Sequence, residues 1–187
     1  REQRVMFQQR PPLMRTPRTV DVEITSHCNL RCSYCYYFNN PETKYKDIPT
    51  EQWIHVFTEL GQAAVMDVCL VGGEPFSRHD LPQIIEGIVK NRMRFSILSN
   101  GTLIDDSIAS VIKSSKRCNY IQVSIDGSSA EIHDSCRGKG SFKKAVQGIR
   151  TLQKYDIPVT VRVTLHRHNI SDLENIAHFL LQELKLS

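Results

Sequence analysis

Two hydrophobic periods take turns along this chain. VDVEIT (20–25) sets Val20, Val22 and Ile24 against Asp21, Glu23 and Thr25, the two-residue alternation of a strand. TEQWIHVFTELGQAA (50–64) places Trp53, Val56, Phe57, Leu60 and Ala64 on one helical face, with Thr50 as a candidate N-cap. DVCLVG (67–72) reads as a buried strand, and LPQIIEGIVKN (81–91) as a helix with Asp80 at its cap. RFSILSN (94–100), IASVIKSS (108–115) and YIQVSID (120–126) continue the alternation. FKKAVQGIRTLQKY (142–155) follows, with Phe142, Ala145, Val146, Ile149 and Leu152 on one face. The last unit is VTVRVTL (159–165) and SDLENIAHFLLQELKL (171–186), where Ser171 and Glu174 fit a capping box.

Five strand-then-helix units with no low-complexity tract favour an α/β architecture, a parallel sheet wrapped by helices. A doubly wound sheet and part of a (β/α) barrel both fit, and in both the ligands gather at the C-terminal ends of the strands. The conspicuous polar stretches fall there: a cysteine loop after the first strand, GGEP after the second, SNG after the third, SIDG after the fourth and HRHN after the fifth.

Composition narrows the class. The 187 residues are 40% hydrophobic and 24% charged, enough for one domain with a full core. No stretch approaches the roughly 18 apolar residues of a membrane span, and the start lacks the apolar region of a signal peptide. The expectation is a cytoplasmic protein with reduced thiols. The net charge of +4 arises entirely before residue 20, from Arg1, Arg4, Arg10, Arg15 and Arg18 against Glu2. That argues against a broad nucleic-acid face and for a basic arm over residues 1–19, either a solvated lead-in or a docking segment for an acidic partner.

Residues 26–38 read SHCNLRCSYCYYF, with Cys28, Cys32 and Cys35 in a C-x3-C-x2-C triplet. Zinc sites usually draw four ligands, commonly from two C-x2-C pairs. Here Cys69 lies inside a strand, Cys118 and Cys136 are far along the chain, and His27 adjoins Cys28 too closely to share a metal with it. Ordinary iron–sulfur clusters take four thiolates, so a three-thiolate [4Fe–4S] cube would leave one iron open to a ligand. A helix face is the bland alternative, since positions i, i+4 and i+7 also converge.

CNLRCSYC, followed by GGEP at 72–75, SNGTL at 99–103 and SIDGSSAEIHDSCRGKGSF at 124–142, resembles the radical S-adenosylmethionine superfamily over about residues 20–186. Within it, the chain is most similar to the peptide maturases that carry a C-terminal auxiliary-cluster (SPASM) domain. The resemblance implies a partial (β/α) barrel and a [4Fe–4S] cluster on Cys28, Cys32 and Cys35. The fourth iron is then chelated by S-adenosylmethionine, whose reductive cleavage yields methionine and a 5′-deoxyadenosyl radical. It implies an external donor of the flavodoxin or ferredoxin type, and places Tyr34 beside adenine and Arg137 at the cofactor's carboxylate.

The residues themselves agree with these roles. Gly72 and Gly73 lack Cβ atoms and admit close backbone approach, and Glu74 offers a carboxylate to an ammonium. Ser99, Asn100, Ser124 and Asp126 stand at strand ends, where they can bind ribose hydroxyls or the amino-acid group. Alone, each is also a common turn cap. Arg137 has a structural alternative, an ion pair with Asp126 or Asp134. Cys69 reads as a buried strand thiol, Cys136 as a lone thiol near the site mouth, His166 and His168 as surface or capping residues, and Trp53 as helix core.

The family barrel usually has six units and this branch adds a cysteine-rich domain, whereas the sequence stops at Ser187 after the fifth helix. Residues 20–187 are therefore expected to be the core of a longer protein. The leading functional expectation is a maturase of a ribosomally made peptide, with the arm docking an acidic leader. Alternatives are a sulfatase-type protein maturase, a small-molecule enzyme of haem or cofactor synthesis, and a structural metal-binding module. No membrane or nucleic-acid partner is expected.

Overall fold

A computed structural model describes residues 16–39 and 45–186. Most of the basic arm lies outside the described residues. The strands are β1 (Thr19–Thr25), β2 (Asp67–Gly72), β3 (Arg94–Ser99), β4 (Cys118–Ser124) and β5 (Val159–Arg162). The helices are α1 (Tyr36–Asn39), α2 (Thr50–Gln62), α3 (Leu81–Lys90), α4 (Asp106–Ser115), α5 (Ala130–Arg137), α6 (Ser141–Lys154) and α7 (Leu173–His178). A π-helical turn, Phe179–Glu183, extends α7.

Every strand pairs in parallel with its neighbour in sequence, in the order β1-β2-β3-β4-β5. A doubly wound sheet reverses strand order at a switch point, and this sheet does not. It is the wall of a partial (β/α) barrel. Its two faces differ as the alternation dictates. Ile24, Val68, Leu70, Phe95, Ile97, Ile121 and Val123 pack into the buried core with Phe57, Ile84, Ile88, Ala145 and Ile149 of the helices. Asp21, Glu23, Val71, Leu98, Gln122, Ser124 and Arg162 instead line a cleft on the other face.

The ends of elements depart most from expectation. α2 has Pro49 at its N-cap, and the Thr50 hydroxyl donates to Asp80 instead. At the other end the helix stops at Gln62, and Ala64 takes a left-handed backbone with φ of 62°. Asp80 precedes α3 but makes no side-chain cap bond, because its carboxylate is held by Arg78. α4 begins at Asp106, capped by Asp105, whose carboxylate accepts the Ile108 N–H at 3.0 Å. The capping box at Ser171 does not form: Ile170–Asp172 is a 3-10 turn, and Asp172 binds the backbone and hydroxyl of Ser128. β5 ends at Arg162, because the Thr164 N–H turns to the Asp126 carboxylate at 2.8 Å.

Arg78 is the rivet of the β1 edge. It donates to the carbonyl of Ile24 at 2.6 Å, to that of Ile48 at 3.2 Å and, through Nε, to Asp80 at 2.8 Å. The guanidinium beside Asp80 holds that carboxyl down to about 2 from an ordinary 3.8. A depressed carboxyl adds stability that is present above its unfolded pKa and lost as pH falls through the folded one. Stability should therefore drop by about 2 kcal/mol between pH 4 and pH 2 on this account. Denaturant titrations of Asp80→Asn should show a lower plateau near pH 6 and a shallower acid limb. A limb as steep as wild type would place the acid sensitivity elsewhere.

Candidate active site

The three cysteines sit in an irregular loop between β1 and α1, which removes the helix-face reading. Two backbone bonds seat the base of that loop on the loop after β2: Gly73 N–H to Thr25 O at 2.8 Å and Glu74 N–H to His27 O at 2.8 Å. The glycines permit this contact. A Cβ on Gly72 would lie 2.3 Å from Thr25 O, and one on Gly73 would lie 2.2 Å from His27 O. Their smallness thus serves the packing of one loop on the other. Cys28 Sγ accepts from the Leu30 N–H at 3.4 Å and from Asn100 Nδ2 at 3.7 Å. Burial pushes the Cys28 and Cys32 thiols up, with Arg137 partly opposing it at Cys32. A metal would have to displace their protons.

A cleft of about 670 Å³ opens above the polar face of the sheet. Of the twelve site residues expected from sequence, ten line it: Cys28, Cys32, Cys35, Tyr34, Gly72, Gly73, Ser99, Asn100, Ser124 and Arg137. Glu74 and Asp126 do not line it and are 0% exposed.

Glu74 stands behind the wall as a clamp between two loops. Oε1 accepts the Ser99 hydroxyl at 2.8 Å and the Phe76 N–H at 3.1 Å, and Oε2 accepts the Asn100 N–H at 2.7 Å. Burial pushes its pKa up to about 7 against the pull of these three donors. Both oxygens are engaged within the protein, so the carboxylate orders Ser99 and Asn100 at the cleft edge.

Asp126 is the second buried anchor. Its Oδ2 accepts Arg137 Nε–H at 2.6 Å and the Tyr34 hydroxyl, and its Oδ1 accepts the Thr164 N–H. The Arg137–Asp126 pair is thus present, while Asp134 serves α6, accepting from Gly140 N–H at 2.6 Å and Phe142 N–H at 2.8 Å. Arg137 uses only Nε for its bond to Asp126. Its side chain also lines the cleft, and its terminal amino groups have no hydrogen-bond partner among the described residues. Burial and the nearby guanidinium lower His133 to about 4, and its neutral Nδ1 accepts the Asp126 N–H at 3.1 Å.

Sequence patterns missed several members of this site. α5 has the polar sequence AEIHDSCR and buries His133, Cys136 and Arg137, so no apolar stripe announces it. Asn169, 0% exposed, ties the Asp126 and Thr164 carbonyls at 3.0 and 2.9 Å. His166 caps locally, its Nδ1 accepting the His168 N–H at 3.2 Å, and also packs its ring 5.6 Å from that of Tyr34. Asp126, Cys136 and His166 bring potential ligand atoms within 4.8 Å of one another. Arg137 occupies the same carboxylate, and its charge opposes a cation there.

Fold and cleft together define a partial-barrel protein with a three-thiol loop at the C-terminal rim of a parallel sheet. The chain belongs to the Radical SAM superfamily, whose model matches residues 22–180. It is 35% identical over 169 residues to the Fe-coproporphyrin III synthase of Methanosarcina barkeri, covering 86% of this chain and 40% of that one. It is 29% identical over 162 residues to the subtilosin biosynthesis protein AlbA of Bacillus subtilis, covering 86% of this chain and 36% of that one. Streptococcus suis SuiB bound to S-adenosylmethionine superposes with a TM-score of 0.78 at 15% identity, over 91% of this chain and 39% of SuiB. The chain spans less than half the length of these relatives. No helix among the described residues is long and apolar enough to cross a membrane.

Proposed function

We propose that the chain is the catalytic core of a radical S-adenosylmethionine enzyme that modifies a peptide. The carrying observation is the convergence of all three cysteines with Gly73, Ser99, Asn100, Ser124 and Arg137 on one cleft. Cys28, Cys32 and Cys35 would hold a [4Fe–4S] cluster. Their number supports a cluster with one open iron over a single zinc ion, which usually draws four ligands: three thiols line the cleft.

The bound cluster would supply an electron that splits the sulfonium of S-adenosylmethionine and so generates a hydrogen-abstracting radical. The protein's own residues bind, orient and exclude water. Arg137 presents its free amino groups to a carboxylate. Ser99, Asn100 and Ser124 present polar groups to ribose or the amino-acid end. Tyr34 walls the adenine side, with His166 behind it.

A peptide substrate is supported by the likeness to AlbA and to SuiB, which is also known bound to its precursor peptide SuiA. The resemblance to Fe-coproporphyrin III synthase favours a second reading, a tetrapyrrole substrate. An external one-electron donor and the remainder of a longer protein complete the proposal. Reconstituted anaerobically with iron, sulfide and reductant, the protein should release 5′-deoxyadenosine and methionine from S-adenosylmethionine. Bound zinc without iron, or an iron cluster that never yields 5′-deoxyadenosine, would overturn it in favour of a structural metal module.

A further inference from the structure

Three parts of the cleft meet at one buried carboxylate. Arg137 comes from α5, Tyr34 stands between Cys32 and Cys35, and Thr164 follows β5; all three donate to Asp126 and all three line the cleft. The second strand of the cysteine-loop attachment is also here, since the Ser33 N–H donates to the Cys136 carbonyl of α5 at 2.9 Å. Glu74, the other buried carboxylate of the site, holds only the Ser99–Asn100 end of the cleft, together with Phe76. Asp80 faces Arg78 and Thr50, and lies outside the cleft.

We propose that Asp126 is a positioning residue that sets the cofactor-facing arginine and the cysteine loop with the same carboxylate. It therefore couples cofactor affinity to cluster retention. This rests on the reading of the cleft as a cofactor site. The chemistry requires an anion at this point. Oδ2 serves a cation and a phenol hydroxyl together, which an ionised oxygen accepts through charge-assisted bonds. An asparagine in the same space keeps one acceptor oxygen for Thr164 and turns an amino group toward Arg137 and Tyr34. Arg137 is only 7% exposed, so without that oxygen its charge loses its anchor and the terminal groups lose their aim.

Cluster-loaded variants separate this role from a merely structural one, by equilibrium dialysis with S-adenosylmethionine and by the rate of iron loss to a chelator in its absence. Arg137→Ala should weaken cofactor binding about 10-fold or more and leave iron loss near wild type. Tyr34→Phe should speed iron loss several-fold. Asp126→Asn should do both, and Asp126→Asn/Arg137→Ala should bind the cofactor no more weakly than Arg137→Ala alone. Losses that add in the double variant, or wild-type affinity and iron retention in Asp126→Asn, would overturn the proposal. If Asp126→Asn does not fold, Asp126→Glu keeps the charge but displaces it, and the same two losses are expected; wild-type values in both would overturn it. A wild-type protein that takes up iron yet binds no cofactor would remove the cofactor-site reading. Iron loss then decides alone, and equal rates for wild type and Asp126→Asn overturn the coupling.

Discussion

Alanine at Cys28, Cys32 or Cys35 is expected to leave a folded protein that can neither keep its cluster nor form 5′-deoxyadenosine above background. Each cysteine stands in the irregular loop and lines the cleft, outside the core formed by the sheet and helices. The cost to the fold should be small. Even Cys28, the most buried, gives up only the acceptor of the Leu30 N–H and of Asn100 Nδ2, about 1 kcal/mol for each by the usual worth of a hydrogen bond. On the proposed ligand set the cost to the cluster is total, since no other thiol among the described residues lines the cleft to replace a lost ligand. Cys69→Ala, a change at a buried strand thiol, is the matched control and should retain iron. Iron, sulfide and visible absorbance measure the first effect, and chromatography of the nucleoside measures the second. A triple alanine variant with full iron would show that the cluster sits elsewhere.

Gly73→Ala is expected to be nearly as damaging, through packing of the cysteine loop. Its Cβ would stand 2.2 Å from His27 O, 2.6 Å from His27 C and 3.1 Å from Cys28 Cβ. The carbonyl cannot swing aside without breaking its 2.8 Å bond from the Glu74 N–H, so the whole base of the cysteine loop must move. Overpacking of this kind costs about 1–3 kcal/mol and occasionally more, and the displacement falls directly on Cys28. The expected result is a lower denaturation midpoint together with reduced iron uptake. Gly138→Ala is the contrast, because its Cβ would meet nothing within 4 Å and only the φ of 112° resists it. It should lose stability yet keep its iron. Wild-type iron and stability in Gly73→Ala would mean that the two loops part freely.

The sequence carried the order of elements and most of the rim, for a physical reason. In β1 the alternation of Val20, Val22 and Ile24 with Asp21, Glu23 and Thr25 records which face meets the helices, and a strong periodic signal survives without neighbours. Element ends were less legible. Thr50 and Asp80 look like helix caps, but they bind each other and Arg78, a pairing set by tertiary contact. Within the site, ten of the residues that line the cleft were readable from their motifs. The division of labour behind the wall was not. Glu74 and Asp126 have the chemistry of ligand-binding carboxylates, and burial shows that Glu74 turns to Ser99 and Asn100 and Asp126 to Tyr34 and Arg137, the last a pairing the sequence offered as an alternative. Helix α5 escaped because its inward face is His133, Cys136 and Arg137, with no apolar stripe to read.

The unreversed strand order also sets a sequence of events in time. During synthesis each strand can dock on the one already made, so the cysteine loop emerges first and its far wall last. Asp126 and Arg137 follow Cys28 by about a hundred residues, an interval of roughly 5–20 s at ribosomal rates of about 5–20 residues per second. Until then the three thiols have neither the carboxylate that fixes Tyr34 nor the backbone bond from Ser33 to Cys136. The nascent loop is a trio of open thiols on an unfinished wall, and shelter for a cluster comes only with the fourth and fifth units.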